Sequence, residues 1–301
     1  MDRKDFEVII IGGSYAGLSA AMALGRSLRT VLIVDSGTPC NMQTPHSHNF
    51  LTQDGETPSR IAQKAKEQVL NYKTVSWMNG RAIHGSQGVN DFEITLQSGQ
   101  VFTGDKIIFA TGIKDIMPPI PGFAECWGIS VIHCPYCHGF EFRNQRTAII
   151  ANAERAFHLA SLINNLTDNL TILTSGDTHF DMDQMARLQE HGIFIIAKEI
   201  TEMNHLDGYI HSMTFSDSSR LEVDAVYAGL PFEQQSDLPF LLGCEFSESG
   251  HIKIDTFQRT SVKGIYACGD NSTMMRSVAN AVYTGNFVGA MVNKELTDEK
   301  F

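Results

Sequence analysis

The chain has 301 residues, enough for about two domains with separate cores. Hydrophobic residues at 43% and charged residues at 19% describe an ordinary globular protein, and a formal charge of -11 excludes nucleic acid and anionic membrane as partners. No apolar stretch approaches the roughly 18 residues of a membrane span, and residues 1–5 run straight into a strand with no room for a signal peptide, so a cytoplasmic location is expected.

Val8-Ile9-Ile10-Ile11 is a continuous apolar run, the pattern of a parallel strand buried on both faces. It meets Gly12-Gly13-Ser14-Tyr15-Ala16-Gly17 and then a helix over 18–24, and a second strand over 30–34 ends in Asp35. Strand, glycine turn, helix, strand and acid stand in the order of a dinucleotide-binding βαβ unit, with Ser14 in place of the second glycine. Gly12 permits the tight turn and Gly17 lets the helix pack closely. The N–H groups around Ser14 and Ala16 would face a pyrophosphate, and Asp35 would accept from a ribose.

Residues 39–55 form a polar loop of a kind that normally lies on the surface. Its Asn41, Gln43 and Asn49 are candidate cofactor contacts. A helix over 58–70 follows, then β pieces near 74–78, 92–96 and 101–102 that suggest an antiparallel insertion within a flavin domain. A strand over 106–109 ends in Ala110-Thr111-Gly112, whose Thr111 and Gly112 are also candidate contacts. Pro118-Pro119-Ile120-Pro121-Gly122 reads as a stiff crossing, placing a domain boundary near 115.

The next stretch carries the chemistry: Cys134-Pro135-Tyr136-Cys137-His138-Gly139-Phe140-Glu141. Two thiols at this spacing can close a small disulfide ring and so hold or release two electrons. A helix starting here would lower a thiolate's pKa through its positive N-terminus, and His138 and Glu141 could carry a proton beside the sulfurs. Cys-x-x-Cys-His is also a haem-attachment pattern, but that chemistry requires export. A zinc site would need His133 or the His46/His48 pair to complete its ligands. A glutaredoxin motif would follow the first strand of a domain of about 100 residues. Two inert buried thiols are the bland reading. Joined to the flavin-type signals, the redox dithiol is preferred.

A weak echo of the first unit begins at Thr147, with a strand over 148–150, a helix over 157–166 and a strand over 170–173. Its loop, Ala151-Asn152-Ala153-Glu154-Arg155-Ala156, has lost every glycine of the fingerprint, and this predicts poor binding of NADPH. The chain returns to the first domain near 235. There a strand over 264–268 runs into Gly269-Asp270-Asn271 and a last helix over 278–294. Asp35 or Asp270 alone would be a strand end or turn former; their joint placement favours function. Cys40, Cys126, Cys244 and Cys268 are taken as packing residues in a reducing compartment.

In this order the motifs resemble the low-molecular-weight thioredoxin reductases and their relatives, the gliotoxin-type dithiol oxidases. The resemblance implies an α/β protein of two Rossmann-like FAD/NAD(P)-binding domains, the second inserted in the first. The FAD domain would comprise 1–115 and 235–301, and the smaller domain with the cysteines 116–234. A homodimer is implied as well. By the same resemblance Asp270 holds the ribityl hydroxyls of FAD, and Arg276-Ser277-Val278 lies along the flavin ring. Cys137 faces the flavin and Cys134 exchanges with a thioredoxin-like protein or a small dithiol or disulfide. Two departures stand out: His138 occupies the place of the reductases' aspartate, as in the oxidase branch, and Thr174-Ser175-Gly176-Asp177 replaces their arginine pair. The expected activity is FAD-dependent disulfide oxidoreduction, with a dithiol oxidase using oxygen or a redox sensor without turnover as rivals.

Overall fold

The structure, a computed structural model, describes residues 4–301. Residues 1–3, part of the stretch behind the signal-peptide expectation, lie outside the described residues. Among the described residues no helix is long and apolar enough to cross a membrane.

The first sheet is built on Lys4–Ile11, which pairs in parallel with Val31–Asp35 on one side and Val101–Phe109 on the other. Val8, Ile9 and Ile10 are completely buried. Each such side chain contributes about 1.5–3 kcal/mol relative to exposure. Val75–Asn79 extends the sheet beyond Val31–Asp35. The expected pieces at 101–102 and 106–109 are one strand, Val101–Phe109, that serves two further neighbours on its other edge. Its first half pairs antiparallel with Phe92–Leu96, and its second half pairs parallel with Ile265–Ala267. Ala82–Gln87, an additional strand, completes the antiparallel arm.

The glycine turn works through close approach. Gly12 has φ +108, and a Cβ on Gly17 would overlap the Gly12 carbonyl oxygen. Because backbone cannot move aside as a flexible side chain can, Gly17→Ala should cost about 3 kcal/mol or more, the upper end for overpacking. A lowered melting temperature with loss of bound flavin is the expected reading; an unchanged melting temperature would remove the argument.

A second, five-stranded parallel sheet runs in the order Phe194–Ile196, Leu170–Leu173, Thr147–Ile150, Ala225–Ala228, Val131–Ile132. The helix expected at 157–166 spans Ala153–Ile163 instead, because the Asn152 side chain accepts from Ala153 N and starts it early. A three-stranded antiparallel sheet, Ile200–Leu206, Tyr209–Phe215 and Arg220–Glu222, was not anticipated. Its signal was the Asp207-Gly208 turn, both residues at positive φ, between alternating strands. The chain crosses between the two large sheets at 115 and 232, where Ile113–Asp115 pairs antiparallel with Phe232–Gln234. The last helix runs on to Lys300.

Candidate active site

A cavity opens where the first sheet's strand order reverses, between Lys4–Ile11 and Val101–Phe109. That is the place where open α/β sheets bind nucleotides. Of the expected cofactor residues, Gly12, Ser14, Ala16 and Asp35 line it from the first βαβ unit, and Asn41 from the polar loop. Thr111 and Gly112 line it from the next turn, and Asp270, Arg276, Ser277 and Val278 from the C-terminal segment. Gly17 lies beneath the turn as a packing residue.

Gln43 and Asn49 lie elsewhere. The Gln43 amide donates to the carbonyls of Ala124 and Glu125 at 3.0 and 2.9 Å, so it ties the loop to the segment after the proline crossing. Asn49 is exposed at φ +58 and donates its N–H to Asp54 at 2.7 Å, a turn contact. In a polar loop, composition does not say which amides point inward. The cavity is also lined by Gly13, Tyr15, Trp77 and Asp115, which sequence reasoning passed over. His133, weighed from sequence only as a zinc ligand, lines it too, as does Cys40, which is exposed at the cavity rather than a packing residue as expected. Only Gly13, inside the glycine turn, carried a usable signal.

Asn271 stitches two turns of the site together, donating to Phe109 O at 2.9 Å and Thr111 Oγ1 at 3.2 Å. Arg276 makes a two-pronged ion pair with the buried Asp115, at 2.8 and 2.9 Å. Burial pushes the Asp270 carboxyl up to about 6 against the pull of Arg276. Burial likewise holds His133 down to about 4, helped by Arg276. Cys40, 4.0 Å from Asp270, is pushed up to about 11 by desolvation and then by that carboxylate.

Cys137 and His138 line the same cavity. The Cys134 and Cys137 sulfurs are 2.6 Å apart. The helix expected at this motif is one turn, Pro135–His138, with Cys134 as its N-cap. So short a helix carries little macrodipole, and the thiolate is stabilised by particular donors instead. Cys134 is held down to about 7, first by the Cys137 thiol and further by the Cys137 and Tyr136 N–H groups, against desolvation. Cys137 moves upward, because a Cys134 thiolate beside it disfavours a second charge. Glu141 is exposed and reaches His48 Nδ1 at 3.5 Å. His138 is lowered by burial first and then by His48.

The profile of the pyridine nucleotide-disulphide oxidoreductases matches residues 6–285. The chain belongs to that family. Among its relatives is thioredoxin reductase tcpT of Claviceps purpurea, 32% identical, over 96% of this chain and 94% of the relative. Similar solved structures include an oxidoreductase from Agrobacterium tumefaciens, 34% identical with a TM-score of 0.91, covering 98% of this chain and 99% of that one. TrxB from Bacillus anthracis superimposes with a TM-score of 0.93 at 29% identity, over 98% and 100% of the two chains. The protein is therefore an FAD-dependent disulfide oxidoreductase of the thioredoxin-reductase type, with two nucleotide-binding folds.

The donor set of this pyridine nucleotide-disulphide oxidoreductase fits FAD. Ser14 caps the first helix without a side-chain bond, leaving the N–H groups that open on the cavity for phosphate oxygens. Asp35 already receives the Gly13 N–H at 2.9 Å and keeps lone pairs for a ribose. His133 Nε2 and Arg276 Nε are buried without a hydrogen-bond partner, although Arg276 Nε lies 3.9 Å from Asp270 Oδ2, and both residues line the cavity. Unpaired buried polar groups cost about 1–3 kcal/mol each, so the cavity is shaped for a polar ligand.

The second fold differs at the corresponding point. Its strand order reverses between Thr147–Ile150 and Ala225–Ala228. There the Arg155 guanidinium lies against Gly229, filling the position a Cβ would take. The Asn152 carboxamide accepts from Ala153 N and His179 N at 2.8 and 3.1 Å and donates to Asp177 O at 2.7 Å. Ala153 is held at φ +51, in the left-handed region. The Arg155 guanidinium and the Asn152 amide thus both stand at the strand-order reversal, the point where a pyrophosphate approaches the backbone in such folds.

Proposed function

We propose that this enzyme oxidises dithiols, passing their electrons through Cys134–Cys137 and the flavin to oxygen, and that NADPH is not its donor. The observation that carries this reading is the second crevice, where Arg155 on Gly229 and the Asn152 amide stand at the strand-order reversal. Bound FAD supplies the two-electron acceptor for the dithiol and the route to oxygen.

The chain's own residues perform the exchange. A substrate thiolate attacks Cys134 Sγ of the oxidised pair, the S–S bond breaks, and Cys137 leaves as thiolate beside the cavity. The second substrate thiolate attacks its own sulfur in the mixed disulfide and releases Cys134, with the substrate oxidised to a disulfide. Of the two protons that the substrate thiols give up, His138 takes one and the reduced Cys134–Cys137 pair keeps the other, since a thiolate on one sulfur disfavours a second charge on its neighbour. A leaving thiol departs faster when its pKa is low, which suits Cys134 at about 7. Tyr136 and Phe140, 69% and 67% exposed, flank the pair with apolar surface for the partner. The partner is a small dithiol or a thioredoxin-like protein. The domain limits at 115 and 235, a homodimer and a cytoplasmic location belong to the same reading.

Oxygen uptake driven by a dithiol, compared with disulfide reduction driven by NADPH, tests the direction. Uptake without NADPH is expected; NADPH-driven disulfide reduction as the faster reaction would overturn it.

The thiol's ionisation gives a pH prediction. The thiolate is the reactive form, so alkylation of Cys134 in the reduced enzyme should rise tenfold per pH unit below its pKa and level off above it. The midpoint should lie near 7 rather than the ~8.5 of a free thiol. In Cys137→Ser it should move up, since the Cys137 thiol is the largest cause of the lowering. A wild-type midpoint at or above that of a free thiol would dismiss the assignment.

A further inference from the structure

His48 enters the site from the polar loop, yet the exchange does not use it. Its Nδ1 lies 3.5 Å from Glu141 Oε1 and 3.8 Å from Asp54 Oδ1. Its ring meets His138 edge-on, with centroids 6.0 Å apart. One ligand atom from each of His48, His138 and Glu141 lies within 4.8 Å of the other two. We propose that these three side chains bind a divalent cation of the zinc class, and that the bound cation arrests exchange at the neighbouring cysteine pair. The arrest rests on the dithiol-exchange reading; the binding does not.

Two imidazoles and one carboxylate form a ligand set that zinc takes in sites with three protein ligands and an open fourth position. Tetrahedral bonds of ~2.0–2.1 Å place ligand atoms about 3.3 Å apart. His48 and Glu141 are near that spacing already. The remaining closure requires side-chain rotation of His138 and of Glu141, which is at the surface. The backbone under His48 is fixed: Ser47 and Glu56 form a bridge, and Gly55 N donates to Ser47 O at 2.9 Å. Asp54, anchored by the Asn49 N–H, adds a second negative charge beside His48. His48 and His138 both line the cavity that holds Cys137. A cation there takes up the His138 lone pair that receives the substrate's proton, and it stands in the approach to the sulfurs.

A pair of free thiols can also bind zinc, so the test uses the FAD-loaded enzyme with Cys134–Cys137 oxidised. Calorimetric titration with zinc chloride should show one saturable equivalent. Affinity should fall by about tenfold or more in His48→Ala and in Glu141→Gln, each a lost ligand. With free zinc held by a metal buffer, dithiol oxidation should be inhibited, and inhibition should need about tenfold more zinc in the two ligand variants, each compared with its own metal-free rate. Melting temperature and flavin content verify folding, and the surface position of Glu141 keeps the test available if His48→Ala is unstable. Absence of saturable binding, or equal affinity in wild type and both ligand variants, overturns the site. Binding with no change in rate overturns the arrest. An enzyme without dithiol oxidation refutes the exchange reading, and the titration still decides the site.

Discussion

Cys134→Ser should retain bound FAD, lose dithiol turnover by roughly 10⁴-fold or more, and acquire a long-wavelength absorbance band. Cys137→Ser should lose turnover to the same degree without the band. The asymmetry follows from position: Cys137 lines the cofactor cavity, whereas Cys134 caps the helical turn beside it. A thiolate against an oxidised flavin donates charge to it and colours it. In the wild type the Cys137 thiolate is suppressed chiefly by its neighbour Cys134. Removing Cys134 leaves burial and the Asp270 carboxylate raising the pKa and Arg276 lowering it, so the band should grow as pH rises through the ionisation of Cys137. Flavin content should be unchanged, because the cavity's lining from the glycine turn and from Asp270, Arg276, Ser277 and Val278 is left intact. A band that follows Cys137→Ser would reverse the assigned roles.

Micromolar NADPH, added without oxygen, should leave the flavin oxidised, while a dithiol bleaches it. From sequence, the obstacle is the missing glycine at Ala153 and the like charge of Glu154, on the order of 4 kcal/mol for a contact at ~4 Å in an effective dielectric near 20. The structure shifts the weight between them. Glu154 is held by the Gln184 amide at 2.8 Å, while the Arg155 guanidinium lies against Gly229, where the backbone would have to be approached. Thr174, Ser175 and Gly176 offer no guanidinium for a 2′-phosphate. NADH should fare no better. Fast, saturable bleaching at micromolar NADPH would refute this account of the second crevice.

Much of the architecture was legible because it rests on local rules. The Val8–Ile11 run, the glycine turn and Asp35 each have a signature set by neighbours in sequence, and the structure assembles them in register. The Cys-x-x-Cys pair was legible for the same reason: two thiols three positions apart meet across one helical turn wherever it sits.

What tertiary structure alone decided is contact between segments far apart in the chain. Asp115 and Arg276, 161 residues apart, form the buried pair beside the cavity, and no local pattern announces a partner at that separation. Gln43 and Asn49 read like Asn41 in sequence, yet only Asn41 faces the cavity; which side of an irregular loop points inward depends on what packs beneath it. Arg155 was visible as a charge, and its rest on Gly229 was not, since that depends on two parallel strands lying side by side. His48 meets Glu141 because the polar loop folds back over the cysteine turn. Local sequence determined a flavin fold carrying a dithiol, because strand, turn and thiol spacing are short-range chemistry. Side-chain packing between distant segments decided which groups surround that dithiol and what stands at the second crevice.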